Sequence, residues 1–308
     1  MLDVSDSLKG HHFTRVADFS REELELVLDT AARMKEAARE DQHLLPGRGL
    51  GMIFQKPSTR TRVSFEVGIA QLGGHALYLR SDDLQLGRGE TIKDTAVVLS
   101  RYLDAIMIRT FAQDDVEELA RNASIPVING LTDSAHPCQA LADVLTIRER
   151  LGRIEGMRVA YLGDGTNVCS SLMVAVARLG GSFVAATPPG YEPDEKALAI
   201  ARESGAHVEV ANDPEEAVRG AGVLYTDVWT SMGQDEEREQ RLRDLEGYGI
   251  TSDLVAKAGD GAIMLHCLPA HYGEEITEEV LYGPSSAVWD QAENRLHAQK
   301  ALLALVVR

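Results

Sequence analysis

Three hydroxyl side chains and two arginines occupy five consecutive residues, Ser58-Thr59-Arg60-Thr61-Arg62. The segment Leu50 to Gln55 before them is short and apolar, which predicts a strand, and the residues after them predict an amphipathic helix. Ser58 or Thr59 would cap that helix, whose first turn offers free N–H groups and the positive end of its dipole. Arg60 adds a planar guanidinium that can bond two oxygens of one anion. The segment therefore predicts a phosphate-binding site.

The same residues would also suit an ordinary capped helix with solvated arginines. Their position favours the phosphate, because they stand at a strand-to-helix junction, where α/β enzymes bind ligands. Arg109 stands just past the predicted strand Ala105 to Ile108, although taken alone it is more typical of a surface arginine. His136, at the start of a predicted helix, could donate to a carbonyl oxygen, and Gln139 could hold an amide. A capping or core histidine fits His136 equally well.

The second half of the chain carries acceptors suited to a cationic amino acid. Asp227 and Ser231 follow the predicted strand Val223 to Tyr225. Both can accept hydrogen bonds from an α-ammonium, and Asp227 can also offset its charge. Asn167 follows the segment Gly163 to Thr166, which ends one predicted strand and opens a helix.

Strand-like and helix-like segments alternate through most of the chain, which predicts an α/β fold whose parallel sheets are flanked by helices. The nine strand candidates are Leu50 to Gln55, Ala76 to Leu79, Ala105 to Ile108, Pro126 to Asn129, Met157 to Leu162, Ser182 to Ala186, His207 to Val210, Val223 to Tyr225 and Ala262 to Leu265. The alternation restarts after a long helical segment ending near residue 150, so two domains are expected, 1–148 with 294–308, and 149–293. The last helix, from about Gln291 to Val307, is expected to pack back on the first domain.

The segments S-T-R-T-R and H-P-C-Q-A-L-A-D together resemble the aspartate/ornithine carbamoyltransferase superfamily, and the resemblance covers nearly the whole chain. It implies transfer of the carbamoyl group of carbamoyl phosphate to an amine. It further implies that Ser58, Thr59, Arg60 and Thr61 bind the phosphate. Arg109 and His136 would polarise the carbamoyl oxygen, and Gln139 would hold the carbamoyl amide.

The second half resembles the ornithine branch of that superfamily, which implies L-ornithine as the acceptor and L-citrulline and phosphate as products. The D-V-W-T-S-M-G segment and the H-C-L-P segment carry this resemblance. It assigns the ornithine contacts to Asn167, Asp227, Ser231 and Met232. The thiol of Cys267 would lie beside the reacting amine, with the backbone carbonyls of Cys267 and Leu268 on the carbamoyl amide. In the C-terminal Q-A-E-N-R segment, Arg295 would reach the carbamoyl oxygen.

The resemblance also implies a catalytic homotrimer, or a higher assembly of trimers, in which Gln85 reaches the carbamoyl phosphate site of a neighbouring chain. No cofactor and no metal is expected. Gly163-Asp164-Gly165 could suggest nicotinamide binding, but Val168 replaces the third glycine. His266, Cys267 and His271 could suggest a metal site, but adjacent His and Cys rarely point at one ion. A noncatalytic anion-binding module would leave the amine-side segments unexplained.

Two relatives within the superfamily use other acceptors. An aspartate-using enzyme must bind a second carboxylate, and the aspartate branch places Arg after H-P-L-P, where this chain has Ala270 after H-C-L-P. Putrescine lacks the α-carboxylate that an intact S-M-G segment implies. Both comparisons favour ornithine.

The formal net charge of −17 opposes nonspecific nucleic-acid binding, which needs Lys and Arg to displace counterions. No apolar run approaches the roughly 18 residues of a membrane helix, and no signal or transit segment is evident, so no membrane partner and a cytoplasmic location are expected. Cys138, Cys169 and Cys267 are far apart in sequence and odd in number, which makes a disulfide framework improbable.

Overall fold

The computed structural model describes residues 5–37, 42–80, 82, 84–85, 89–230 and 235–307. The chain divides into two compact units. The first unit comprises Met1–Leu145 and Glu293–Arg308, and the second comprises Thr146–Ala292. Both divisions fall inside helices, so the chain passes between the units within regular structure.

The first unit is built on a parallel sheet with the strand order β2-β1-β3-β4. Its strands are β1 (Gly49–Phe54), β2 (His75–Arg80), β3 (Ala105–Arg109) and β4 (Val127–Leu131). Its helices are α1 (Arg21–Glu36), α2 (Thr59–Gln71), α3 (Ile92–Leu99), α4 (Gln113–Asn122) and α5 (Pro137–Leu151), the last running on into the second unit, and a 3-10 turn spans Val16–Asp18. Every residue of β1 and β3 is buried, as expected for central parallel strands covered on both faces.

The second unit is built on a parallel sheet with the strand order β7-β6-β5-β8-β9. Its strands are β5 (Arg158–Leu162), β6 (Ser182–Ala186), β7 (Val208–Ala211), β8 (Val223–Thr226) and β9 (Ile263–His266). Its helices are α6 (Asn167–Arg178), α7 (Glu195–Glu203), α8 (Pro214–Val218), α9 (Arg238–Asp244), α10 (Ser252–Val255), α11 (Glu278–Leu281) and the start of α12 (Val288–Val306), and a 3-10 turn spans Asp235–Glu237. Stacked rings of Tyr161 and Tyr225, with centroids 5.7 Å apart, join the two central strands.

In each sheet the strand order reverses once, between two neighbouring strands. A ligand can bind beside that pair of strands. In the first sheet the change lies between β1 and β3, and in the second it lies between β5 and β8. Loops from the carboxyl ends of the two strands at such a point leave in opposite directions and open a crevice. Every residue predicted to bind phosphate in the segment Ser58 to Thr61 follows β1, while Arg109 ends β3.

The fold prediction is confirmed: two parallel sheets are flanked by helices, and the C-terminal part of α12 packs in the first unit. Arg295 of α12 contacts Gln139, and the carbonyl of Val306 accepts from the N–H of Gly10 at 2.9 Å. Each predicted strand is found within one or two residues of its place. Helix α1, with Ser20 and Glu23 in a reciprocal capping box, is not among the predicted elements. In the described residues, no helix combines the length and the hydropathy needed to cross a membrane.

Candidate active site

Ser58 caps helix α2, one of the two alternatives that the sequence offers. Its Oγ accepts from the N–H of Thr61 at 3.2 Å, while its own backbone is extended. The helix begins at Thr59, because the cap lies at Ser58. Thr59, Arg60 and Thr61 therefore occupy the first turn, where the N–H groups lack carbonyl partners within the helix. This geometry suits an anion.

Three arginines surround a buried histidine in the first unit. His136 is 6% exposed and stands directly before α5. Burial lowers its pKa well below the ordinary value of 6.5, and the positive charges of Arg295, Arg109 and Arg60 lower it further. The imidazole is therefore neutral at physiological pH. Arg109 is 6% exposed, and its place in β3 lies opposite Phe54, the last residue of β1.

Gln139 and Arg295 lie in a buried hydrogen-bond network. The Nη1 of Arg295 donates to the Oε1 of Gln139 at 2.7 Å, and the Nε2 of Gln139 donates to Asp143 at 2.8 Å. Gln299, one turn further along α12, accepts from both Nε and Nη2 of Arg295, at 3.0 and 2.7 Å. Arg295 also donates to the hydroxyl of Thr61 at 3.3 Å. The network thus fixes the amide of Gln139 with its oxygen toward Arg295.

Two further residues of this region were not predicted from the sequence. Gln299 donates to Ser64 Oγ at 2.7 Å, which ties α12 to α2, the helix that Ser58 caps. Lys56, 8% exposed, pairs with Asp133 and lies 4.3 Å from the centroid of the Phe111 ring. Lys56 stands two residues before Ser58, and this closeness to the segment predicted to bind phosphate is the one sequence signal for it.

A carboxylate and a thiol meet in the second unit. Asp227 follows β8 and is 7% exposed, and Cys267 follows β9. The Sγ of Cys267 donates to Oδ1 of Asp227 at 2.8 Å, and the N–H of Val228 donates to the same oxygen at 2.8 Å. The structure therefore brings together two residues that the sequence assigns to the amine end of the reaction.

The backbone after Cys267 is held by His266 and Glu275, whose roles were not predicted. Leu268 has a φ of 60°, an uncommon value for a residue with a side chain. Its N–H donates to Nδ1 of His266 at 2.8 Å. Because Nδ1 accepts, the ring proton is on Nε2, which lies 3.3 Å from Oε1 of Glu275. Both His266 and Glu275 are essentially inaccessible to solvent.

The other predicted residues are placed as follows. Asn167 is the first residue of α6, directly after the turn that follows β5. Gln85 is exposed, and the described contacts do not join its side chain to the arginine–histidine cluster; its carbonyl accepts from the N–H of Glu90 at 3.2 Å. Ser231 and Met232 lie outside the described residues. Cys138 is buried and burial raises its pKa to about 12, so its thiol serves as core packing.

One geometric expectation about metals is wrong. Adjacent His266 and Cys267 do direct one ligand atom each toward the same place, since these two atoms and one of Asp227 lie within 4.8 Å of one another. A second group of this kind is His271, Glu274 and Glu275. In the first group the thiol and the carboxylate are hydrogen-bonded to each other, and both ring nitrogens of His266 have protein neighbours. These atoms are thus already engaged within the protein.

Comparison with known proteins assigns a family to both units. Residues 11–149 match the family model described as the carbamoyl-P binding domain of aspartate/ornithine carbamoyltransferase, and residues 155–306 match its Asp/Orn binding domain. The ornithine carbamoyltransferase of Pyrococcus horikoshii is 56% identical over 307 residues, covering 98% of this chain and 97% of that one. An anabolic ornithine carbamoyltransferase of Pyrococcus furiosus is 55% identical, covering 98% of both chains. A solved structure of the ornithine carbamoyltransferase from Pyrococcus furiosus matches with a TM-score of 0.94 at 55% identity, covering 98% of both chains.

Proposed function

The chain belongs to the aspartate/ornithine carbamoyltransferase family, and from this premise we propose that it transfers the carbamoyl group of carbamoyl phosphate to the δ-amine of L-ornithine. The products are L-citrulline and phosphate, and the reaction belongs to arginine metabolism. The observation that carries the proposal is the convergence of Arg60, Arg109 and Arg295 on a neutral His136 in the unit that matches the carbamoyl-P binding domain.

The phosphate end of carbamoyl phosphate is assigned to the first turn of α2. Ser58, Thr59 and Thr61 supply hydroxyl and N–H donors there, and Arg60 supplies a charged fork. The assignment agrees with the local charge, because this cationic region stands in a chain of formal net charge −17. Arginines focused in one place can bind an anion within an acidic protein.

The reaction is an acyl transfer, in which charge develops on the carbamoyl oxygen and on the leaving phosphate. Arg109, His136 and Arg295 donate to the carbamoyl oxygen as the amine attacks the carbon. Donors that are already fixed need no reorganisation in the transition state, so they supply much of the catalysis. Gln139 and the carbonyls of Cys267 and Leu268 hold the carbamoyl amide.

The amine end is assigned to the second unit. Asp227 offsets the α-ammonium of ornithine, and Asn167, Ser231 and Met232 complete the contacts with its α-carbon end. The thiol of Cys267 lies against Asp227 and beside the δ-amine. The leaving phosphate is a suitable acceptor for the proton that this amine releases.

The assembly and its location are part of the same proposal. The chains form homotrimers, or multiples of them, in the cytoplasm, and Gln85 of one chain serves the carbamoyl phosphate site of its neighbour. Light scattering on the purified protein should give three chains per particle or a multiple of three. A monomer that is fully active would contradict the role of Gln85.

The proposed acceptor is tested by a carbamoylation assay with ornithine, putrescine, aspartate and N-acetylornithine. Asp227 requires a free α-ammonium, so N-acetylornithine should react poorly. Ala270 removes the basic side chain that the second carboxylate of aspartate would need. Ornithine should therefore give the highest kcat/KM of the four. A preference for aspartate or putrescine would overturn ornithine as the acceptor while leaving carbamoyl transfer intact.

A further inference from the structure

A single buried arginine in the second unit contacts both loops that carry the proposed ornithine-binding residues. Arg241 lies on α9 and is 9% exposed. Its Nε donates to the backbone carbonyl of Trp229 at 2.8 Å, and its Nη2 pairs with the carboxylate of Asp164. The guanidinium also lies 5.1 Å from the centroid of the Tyr191 ring. All these contacts lie within the second unit.

The two contacted loops are the ones at the point where strand order changes in the second sheet. Asp164 belongs to the turn between β5 and Asn167, and Trp229 follows Asp227 after β8. The loops also approach each other closely, because a Cβ added at Gly163 would lie 3.0 Å from the Nε1 of Trp229. Arg241 therefore links the loop of Asn167 to the loop of Asp227 at a place where the two are close.

Burying the pair of Arg241 and Asp164 costs free energy, because both charges lose their hydration. This cost argues that the pair has a role beyond packing. Burial raises the pKa of Asp164 to about 6, although the charge of Arg241 opposes this shift; Asp227 and Glu237 reinforce it. A neutral side chain at either position would avoid burying the charges. A planar fork can bond a carbonyl and a carboxylate at the same time, which a lysine cannot do in the same geometry.

We propose that Arg241 is a positioning residue for the α-amino acid end of ornithine, acting by joining the Asp164 turn to the Asp227–Trp229 loop. It touches no reacting atom. The inference rests on the proposed function, because it takes Asn167 and Asp227 as ornithine contacts. Its consequence is selective: loss of Arg241 weakens ornithine binding and leaves carbamoyl phosphate binding in the first unit intact.

The test compares wild type, Arg241→Gln and Arg241→Lys, with Arg243→Gln as the matched control. Arg243 lies on the same helix, and its side chain is 63% exposed. Arg241→Gln should fold, because an Asp164 whose pKa is already raised can take up a proton instead of remaining an unpaired buried charge. Arg241→Lys keeps the charge and serves if Arg241→Gln is unstable. The melting temperature of each variant is measured beside its kinetics.

For Arg241→Gln, KM for ornithine should rise about tenfold or more, because small misplacements of binding groups have effects of this size. The dissociation constant of L-norvaline, which has the α-amino acid end of ornithine but no reactive amine, should rise by a similar factor in calorimetry. KM for carbamoyl phosphate should stay within about twofold. Arg241→Lys should lie between wild type and Arg241→Gln, and Arg243→Gln should match wild type.

Two results would overturn the inference. One is unchanged ornithine and norvaline binding in both Arg241 variants, even if the melting temperature falls. The other is an equal loss for ornithine and carbamoyl phosphate, which would indicate general damage. Failure of the proposed function gives a different result, because wild type itself would then not carbamoylate ornithine.

Discussion

The two units carry oppositely charged sites on sheets of the same kind. In the first unit, Arg60, Arg109 and Arg295 surround a histidine that burial and their charges keep neutral. In the second, the carboxylate of Asp227 accepts from the thiol of Cys267. Burial raises the pKa of the nearby Asp164, and the negative charge of Asp227 adds to that shift. Each sheet places its site at the carboxyl ends of strands, so the choice of ligand depends on the loop residues.

The difference also lies in how each site is held. The N–H donors proposed for the phosphate lie in the first turn of one helix and are placed by its cap, although Arg295 of the same unit is held by Gln139, 156 residues away. The second site has no such local part and depends on distant partners: Cys267 is 40 residues from Asp227, and Arg241 is 77 residues from Asp164. A substitution in the first turn of α2 should therefore remove a ligand contact, while many substitutions in the second site should act through geometry.

Removal of Arg60 should have the largest effect. Arg60→Ala should lower kcat/KM for carbamoyl phosphate more than a hundredfold, since one charge-assisted contact of about 3 kcal/mol corresponds to that factor. Steady-state kinetics with varied carbamoyl phosphate measure the loss. Arg62→Ala is the matched control, because Arg62 is on the same helix but exposed, with Glu66 and the Tyr78 ring as its partners. Equal kinetics in the two variants would contradict the assignment of phosphate to Arg60.

The corresponding test in the second unit is Asp227→Asn, which keeps the shape and removes the charge. KM for ornithine should rise about tenfold to a hundredfold, the range for a hydrogen bond to a charged group. KM for carbamoyl phosphate should change little. Asp213→Asn is the control, because Asp213 caps α8 and asparagine caps equally well. If ornithine binds the Asp227 variant normally, Asp227 does not hold the α-ammonium.

The contrast between the sites explains how much the sequence could predict. The strands were predictable because buried parallel strands are short apolar runs, and Ser58 was one of two predicted caps because the cap is a local feature. The resemblance named the residues around His136, and the structure adds that His136 is buried near three arginine charges that lower its pKa.

What could not be predicted are contacts between distant segments. Glu275 stands in an acidic run, and Arg241 stands among charged residues of a short helix, which reads as a solvated face. Only folding buries both of them beside a partner. Gln299 could not be predicted for the same reason, because nothing in the sequence of the apolar C-terminal helix marks it as the acceptor for Arg295.

Glu275→Gln tests whether geometry limits the second site. The amide keeps an oxygen for His266 Nε2 but loses the charge, so the hold on the Leu268 backbone weakens. We expect kcat to fall about threefold to tenfold, the difference between a charged and a neutral acceptor, with KM for ornithine little changed. Glu274→Gln is the control, because Glu274 pairs with Arg238 in a partly exposed ion pair of small value. Equal kcat values in both variants would show that the carboxylate of Glu275 has no positioning role.

The smallest expected effect concerns the charge state of His136, and it appears in stability rather than in turnover. An unfolded histidine binds its proton near pH 6.5, whereas burial and three arginines put the pKa of folded His136 well below that value. Below pH 6.5 the unfolded chain therefore binds more protons, and stability falls as the pH falls. From pH 7.5 to pH 5.5 this one group should lower the free energy of unfolding by about 1.4 kcal/mol.

The test compares wild type with His136→Asn, which has no side chain at this position that can take up a proton. In urea unfolding, the free energy of unfolding of the variant should fall less between pH 7.5 and pH 5.5, by that amount. His12 and His297, whose pKa values are also lowered, contribute equally to both proteins and cancel in the comparison. If the free energy of unfolding falls equally in wild type and variant, folded His136 takes up a proton as readily as the unfolded chain does. It would then add a fourth positive charge beside Arg60, Arg109 and Arg295, and the contrast between a neutral donor in the first site and a charged acceptor in the second would no longer hold.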